Sequence, residues 1–278
     1  MIGVTAPRAQ GLRPGPVYLY THAVVLFTFL YGPILILLIF SFNDTRSVAR
    51  LTGFSLEWYA RLFSNRDLLA AARNSLLIGA VATAASTVVG TLTALGMART
   101  RFRLRRAWEA VLYLPVVIPE IVMGISLLLF FNLGLFPVLQ ALSGWRPSLG
   151  LGTIMIGHIA FDIPFVYLIV RARLAGFDPS LEEAAQDLGA DPWQTFWRVT
   201  FPLLLPAILG GALMAFTLSL DDYLVTVFTA GAGSPTLPIY VYSSVRRGVT
   251  PEINALSTVL LAASMVLVAA SLALQRRR

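Results

Sequence analysis

Long apolar runs separated by short polar or Gly/Pro-containing links make up most of this chain. Six such runs lie at about 17–42, 70–98, 108–131, 151–173, 203–228 and 255–275. Each is close to the roughly 20 residues a helix needs to cross a bilayer. The pattern predicts an all-α, polytopic membrane protein with six transmembrane helices in one transmembrane domain covering 1–278. No internal repeat is visible, and the links are too short to require a second domain. The first run exceeds the roughly 7–15 residues of a signal-peptide core. Its flank, Phe42-Asn43-Asp44, offers no clear small-residue cleavage site, so it is expected to stay as an uncleaved helix.

The links carry their own patterns. In the polar stretch 43–69, Trp58 and Leu62, and likewise Tyr59 and Phe63, are spaced four apart, which predicts a short amphipathic helix at the outer surface. Asn132 to Gly150 and residues 229–254 read as outer loops punctuated by glycine and proline. Residues 178–202 behave differently, because they carry two helix-start signals. Ser180 with Glu183 fits a capping box, whereas Asp178-Pro179 fits a competing start with proline at the first helical position. Acidic Glu182 and Glu183 suit the positive end of that helix, and Gly189 can take the left-handed conformation that closes it. Asp191-Pro192 repeats the start signal and leads Trp193, Phe196 and Trp197 toward Pro202. The expectation is a helix–turn–helix elbow between two spans. Its small residues Ala184, Ala185, Gly189 and Ala190 would let a second surface approach closely. A plainer reading makes it an interfacial elbow anchored at lipid headgroups by Trp193 and Trp197.

Composition sharpens this picture. The chain is 57% hydrophobic and 13% charged, against roughly 25% charged residues in soluble domains, and its mean hydropathy is +0.75. Lipid is therefore its main solvent. The net charge is +7, and every basic residue is arginine. Arg8, Arg13, Arg99, Arg101, Arg103, Arg105, Arg106, Arg171, Arg173, Arg198, Arg276, Arg277 and Arg278 would fall on one side of the membrane. The smaller group on the other side is Arg46, Arg50, Arg61, Arg66, Arg73, Arg146, Arg246 and Arg247. The positive-inside rule puts both termini and the 178–202 elbow in the cytoplasm. The clusters read as topology signals and contacts to anionic lipid; no nucleic-acid motif accompanies them. Cysteine is absent, which excludes disulfides and thiolate sites. Lysine is absent too, so a Walker A loop is impossible, and any ATP that drives this protein must be hydrolysed by another polypeptide. HExxH, GxSxG and GxGxxG are missing and there are two isolated histidines. No catalytic residue, metal site or bound cofactor is expected on this chain.

Carboxylates at membrane depth are the remaining candidates, since a charge there is costly and usually faces a cavity or a partner. Glu120 follows Leu114-Pro115-Val116-Val117-Ile118-Pro119, whose prolines loosen the helix and can turn carbonyls toward a pathway. Asp162 lies four residues after His158, a spacing that allows the two to pair on one helix face. Asp221 and Asp222, with Tyr223 beside them, come near the outer end of the fifth run. Together Asp221, Asp222, Tyr223, Glu120 and Asp162 would suit a cationic substrate, the tyrosine adding a cation–π contact. The alternative is that the acids are interhelical hydrogen-bond partners or helix ends. Asn74 reads as an interhelical hydrogen-bonding residue, and His22 as incidental.

The elbow also carries a resemblance. Glu183-Ala184-Ala185, then Gly189, then Val199, Phe201 and Pro202 resemble the EAA loop of ABC-importer permeases. There E-A-A is followed by a glycine four residues on and later by an aliphatic residue, a leucine and a proline. Val199 replaces the usual isoleucine and Phe201 the usual leucine, both remaining apolar. Further segments resemble the second permease subunit of spermidine/putrescine importers: Ser41-Phe42-Asn43, Gly53 to Tyr59, Arg73-Asn74-Ser75-Leu76, Leu114 to Ile121, Ser219-Leu220-Asp221-Asp222 and Arg247 to Leu256. The resemblance implies a type I importer permease fold and a multi-pass location in the bacterial inner membrane. It also implies an assembly with a homologous permease subunit, two ABC ATPase subunits that bind ATP and Mg, and an extracytoplasmic substrate-binding protein. Glu182, Glu183, Ala184, Ala185, Gly189 and Ala190 would couple to the ATPases. Rival expectations are the same machinery with another cargo (thiamine, ferric iron or a phosphonate), or an ion-driven secondary transporter. Buried acids and the scarcity of arginine within the spans favour a cation over an anion. The inverted repeats or paired broken helices of secondary transporters are not evident.

Overall fold

The structure is a computed structural model that describes residues 16–275 apart from positions 48, 49, 101 and 249. Arg8, Arg13, Arg101, Arg276, Arg277, Arg278 and Val249 therefore lie outside the described residues. The described part is helical, with one isolated bridge between Asn43 and Phe54 as its only β pairing. It divides into two compact units, one running up to Ser64 and resuming at Val245, the other Asn65–Ser244.

In the first unit, α1 (Pro16–Phe40) and α2 (Glu57–Ser64) both pack on α13 (Pro251–Gln275). The expected amphipathic helix is α2, with Trp58 and Leu62 buried and Phe63 exposed. A knot around Asn43 holds the loop before it. The Asn43 amide donates to the Ser47 and Arg50 carbonyls, both at 2.8 Å, and its oxygen accepts from the Thr52 amide at 2.9 Å. The Trp58 indole donates to the Asn43 carbonyl at 2.6 Å. The Ser41-Phe42-Asn43 segment thus has a structural use: it folds the loop.

The second unit is built on α3 (Arg66–Arg99), α7 (Leu151–Ala175) and α10 (Phe201–Asp221), each packed on the other two. Asn65 caps α3 by accepting from the Asp67 and Leu68 amides. Small residues let the helices close up, as they must where lipid supplies no hydrophobic drive between spans. A Cβ built on Gly90 would stand 2.8 Å from the Val166 Cβ and 3.0 Å from the Ile163 carbonyl. Gly90→Leu is therefore expected to push α3 off α7, destabilising the protein by about 1–3 kcal/mol. Thermal unfolding in detergent would read this as a lowered transition. Asn74 makes the cross-element bond expected of it, donating to the Pro235 carbonyl at 2.8 Å, and Ser75 accepts from the Leu237 amide at 2.8 Å.

Among the described residues, five helices are long and apolar enough to span a membrane: Val17–Phe40, Arg66–Arg99, Glu120–Ser143, Leu151–Ala175 and Pro192–Asp221. The sixth apolar run lies within α13, which is 25 residues long. The third differs most from its expected bounds. Over 108–131 the chain forms α4 (Arg105–Val117), breaks at extended Ile118 and Pro119, and restarts as α5 (Glu120–Leu129). Pro119 lacks a donor and forces the residue before it out of the helical region. From α5 the helix continues through a π-helical turn, Phe130–Leu135, into α6 (Phe136–Ser143), and the widened turn accommodates Pro137. The loop expected from Asn132 thus begins only at Gly144, which ends α6 with φ +71. The expected loop 229–254 likewise contains α12 (Leu237–Arg247). Pro238 stands in its first turn, where no backbone donor is needed.

Candidate functional site

The elbow forms from local signals. Helix α8 (Ser180–Asp187) starts by the Asp178-Pro179 route, with the Asp178 carboxylate accepting from the Ser180 amide at 3.0 Å. The Ser180 amide, and then its hydroxyl, hold the Asp178 carboxyl below its usual pKa. This cap is therefore charged at neutral pH, and its contribution fades as pH falls through that lowered value. Gly189 closes α8 with φ +88, and its amide donates to the Gln186 carbonyl at 2.8 Å. Asp191 then caps α9 (Pro192–Thr195) by accepting from the Gln194 amide at 2.8 Å. A π-helical turn, Phe196–Thr200, carries α9 into α10, so the second arm of the elbow is the start of a membrane span.

The surface of the elbow is open. Glu183, Ala184 and Gly189 are exposed, Ala185 and Ala190 half-buried. Leu188 is 90% exposed and Trp193 70%, the Trp193 ring meeting Trp197 edge-on with centres 5.6 Å apart. Ala185, Gly189, Gln194, Arg198 and Val199 line an open groove of about 270 Å³. Trp197 packs on Phe201 with ring centres 4.9 Å apart, so the aromatic arm can also sit at an interface. Glu182 behaves unlike its neighbour. Its carboxylate turns inward and accepts from the Arg99 guanidinium and the Thr200 hydroxyl.

The membrane-depth carboxylates separate into two groups. Asp162, fully buried, accepts from the Ser219 hydroxyl at 2.7 Å. His158 does not pair with Asp162 as its spacing suggested. Its Nε2 lies 3.2 Å from Asp222 and 2.9 Å from the Thr226 hydroxyl. Asp222 ends α10 in an extended conformation and caps α11 (Leu224–Thr229), accepting from the Val225 amide at 3.1 Å and from the Thr226 amide and hydroxyl at 2.7 Å each. Asp162 on α7 and Asp222 at the α10–α11 break are thus both buried, and each accepts hydrogen bonds from neighbouring groups. A helix break has amides to satisfy, and Asp222 satisfies them.

Asp221 and Glu120 are exposed. Glu120 opens α5 at the Pro119 break, and Asp221 is the last residue of α10. The two breaks are neighbours, because Gly124, one turn into α5, is packed against the Leu224 carbonyl and the Phe228 ring of α11. The Tyr223 ring packs on Tyr242 with centres 4.5 Å apart, so the aromatic element beside Asp221 is a tyrosine pair. The sequence reading missed Ser219, Thr226, Tyr242, Arg99 and Thr200. Thr226 alone carried a local signal, four residues after Asp222 at the start of a helix.

With this geometry in view, the comparisons are direct. The chain belongs to the family described as binding-protein-dependent transport system inner membrane component, whose profile matches residues 86–277. It is similar to the putrescine transport system permease protein PotI of Escherichia coli K12, at 43% identity over 238 residues, covering 85% of this chain and 83% of that one. It is also similar to the spermidine/putrescine transport system permease protein PotC of Haemophilus influenzae, at 40% identity over 254 residues, covering 91% and 94%. In fold it matches a chain of a bacterial ABC transporter involved in the import of the acidic polysaccharide alginate, with a TM-score of 0.76 at 19% identity over 93% of this chain and 95% of that one. The alginate transporter in complex with a pentasaccharide-bound periplasmic protein gives 0.73 at 18% identity, covering 90% of each. The protein is thus an all-α, multi-pass permease with the fold of an ABC importer subunit.

Proposed function

We propose that this chain is one of two permease subunits of an ATP-driven polyamine importer in the bacterial inner membrane. The observation that carries the cargo is the 40–43% identity, over most of the chain, to permeases named for putrescine and spermidine. The site agrees in sign, since the exposed carboxylates near the breaks, Glu120 and Asp221, are acceptors for ammonium groups. Half of the pathway would lie on this chain and half on a homologous permease. An extracytoplasmic binding protein would deliver substrate, and one of two ATPase subunits would dock at the groove beside Gly189. ATP binding would draw the ATPases together, move α8 and α9, and tilt the spans to open the cavity outward. Hydrolysis would return it to the cytoplasmic side. ATP and Mg would be held by the ATPase chains.

Uptake of labelled putrescine and spermidine by cells lacking their own polyamine importers, with this chain and its partner subunits restored, tests the reading. Uptake that needs ATP and ignores thiamine, ferric iron and phosphonates is expected. Uptake driven by an ion gradient without ATPase subunits would replace the reading with secondary transport. Asp221→Asn removes a charged acceptor worth about 1.5–3 kcal/mol. It is expected to raise the half-saturating polyamine concentration about tenfold or more with the amount of protein in the membrane unchanged. Equal affinity would take Asp221 off the path.

A further inference from the structure

Adjacent residues Glu182 and Glu183 differ in exposure, Glu182 being half-buried. Glu183 is exposed, where an ATPase would meet it. The Glu182 Oε1 atom accepts from both the Arg99 guanidinium and the Thr200 hydroxyl, and its side chain keeps 22% of its surface against 49% for Arg99. The two donors come from different elements. Arg99 is the last residue of α3. Thr200, fully buried, ends the π-helical turn that runs into α10. One carboxylate oxygen therefore joins α8 to the inner ends of two spans that form the core of the second unit.

A half-exposed ion pair adds little to stability, so its main effect here is to fix position. Helix α8 hangs between two short links, 176–179 and 188–191. Each contains a glycine, and Gly189 is in the left-handed region. Each link joins α8 to its neighbours through the backbone and is held by local hydrogen bonds. The Arg99–Glu182–Thr200 contact bypasses both links. Hydrogen bonds to an ionised carboxylate are stronger than neutral ones, and the buried Thr200 hydroxyl gives this carboxylate a seat. Arg99 also suits the negative end of α3.

We propose that Arg99, Glu182 and Thr200 form a clasp that makes α8 move with α3 and α10, so that Glu182 is a positioning residue for coupling and not a contact to the ATPase. The proposal rests on the coupling role given to the elbow above.

The test uses the assembled importer in proteoliposomes, with permease partner, ATPases and binding protein, and measures polyamine taken up per ATP hydrolysed. Glu182→Arg and Arg99→Glu are each expected to lower that ratio about fivefold or more. The double exchange restores the ion pair, and the Thr200 hydroxyl can accept from an arginine at 182. It should therefore bring the ratio back to within about twofold of the unaltered protein, a recovery that pairwise interaction requires. Should either charge reversal fail to assemble, Glu182→Gln and Thr200→Val, which keep side-chain size, carry the test, each lowering the ratio. A double exchange no better than the singles overturns the clasp. If Gly189→Asp uncouples while the Arg99, Glu182 and Thr200 variants keep a normal ratio, the clasp is refuted and the coupling role stands. If all keep it, the coupling role fails and the clasp with it.

Discussion

Gly189→Asp is expected to reduce uptake by at least about tenfold while the protein still reaches the membrane in normal amount, and ATP hydrolysis should continue without transport. The backbone at 189 has φ +88, a region where aspartate is tolerated more readily than most residues, at a cost of roughly 1–2 kcal/mol. A Cβ built there meets no atom within 4 Å. The new side chain therefore meets no steric clash within this chain, its cost being confined to the backbone at 189, and it would project beside Leu188 over the groove. A loss of transport with the protein still folded in the membrane would then point to a surface supplied by another subunit, where an unpaired carboxylate would enter a closely packed contact. Glu183→Lys, at an exposed position with a reversed charge, should act in the same direction. The measurement pairs uptake with ATP turnover in membrane vesicles, with abundance checked by immunoblot. Normal uptake by both variants would leave the groove without a docking partner and return the elbow to its plainer use as a headgroup anchor.

What was legible in the sequence is what short-range chemistry decides. Asp178, Gly189 and Asp191 act on amides or backbone angles within a few residues, so the elbow could be read nearly whole. Only the choice between Ser180 and Asp178 as the cap stayed open, because both place a side-chain oxygen near the same amides. The helix breaks were half legible. Pro119 was visible as a disturbance, but a full break depends on where Ile118 can go, and that is set by packing. Asn132, Gly134 and Pro137 read as loop punctuation. They lie in a helix because the flanking Phe130, Phe131, Leu133 and Leu135 supply apolar surface on every side, and the π-helical turn takes up the irregularity. The carboxylates were the least legible. Whether an acid is a cavity group or a cap depends on partners far along the chain, and the Ser219 that meets Asp162 is 57 residues away from it. Adjacent Asp221 and Asp222 look alike in sequence, yet one is exposed and the other buried.

That difference gives the second large effect. Asp222→Ala is expected to destabilise the protein by on the order of 3 kcal/mol, because several buried donors lose their acceptor at about 1–3 kcal/mol for a group left unsatisfied. Three losses act together. The Val225 and Thr226 amides at the start of α11 lose their acceptor, the Thr226 hydroxyl loses a 2.7 Å bond, and buried His158 loses the carboxylate 3.2 Å from its Nε2. His158 is 3% exposed and belongs to α7, so the defect reaches from the break into the helix packing. Asp222→Asn keeps one oxygen acceptor for the cap and should cost clearly less. Asp221→Asn, at an exposed position, should leave the unfolding temperature alone and change only affinity for cargo. The two neighbours would then sort by different readouts, Asp222 by thermal unfolding and membrane abundance, Asp221 by the concentration dependence of uptake. If Asp222→Ala instead kept the unfolding temperature of the unaltered protein and lost only affinity, the carboxylate at 222 would be free to meet substrate. The capped break would then be an arrangement that opens during transport.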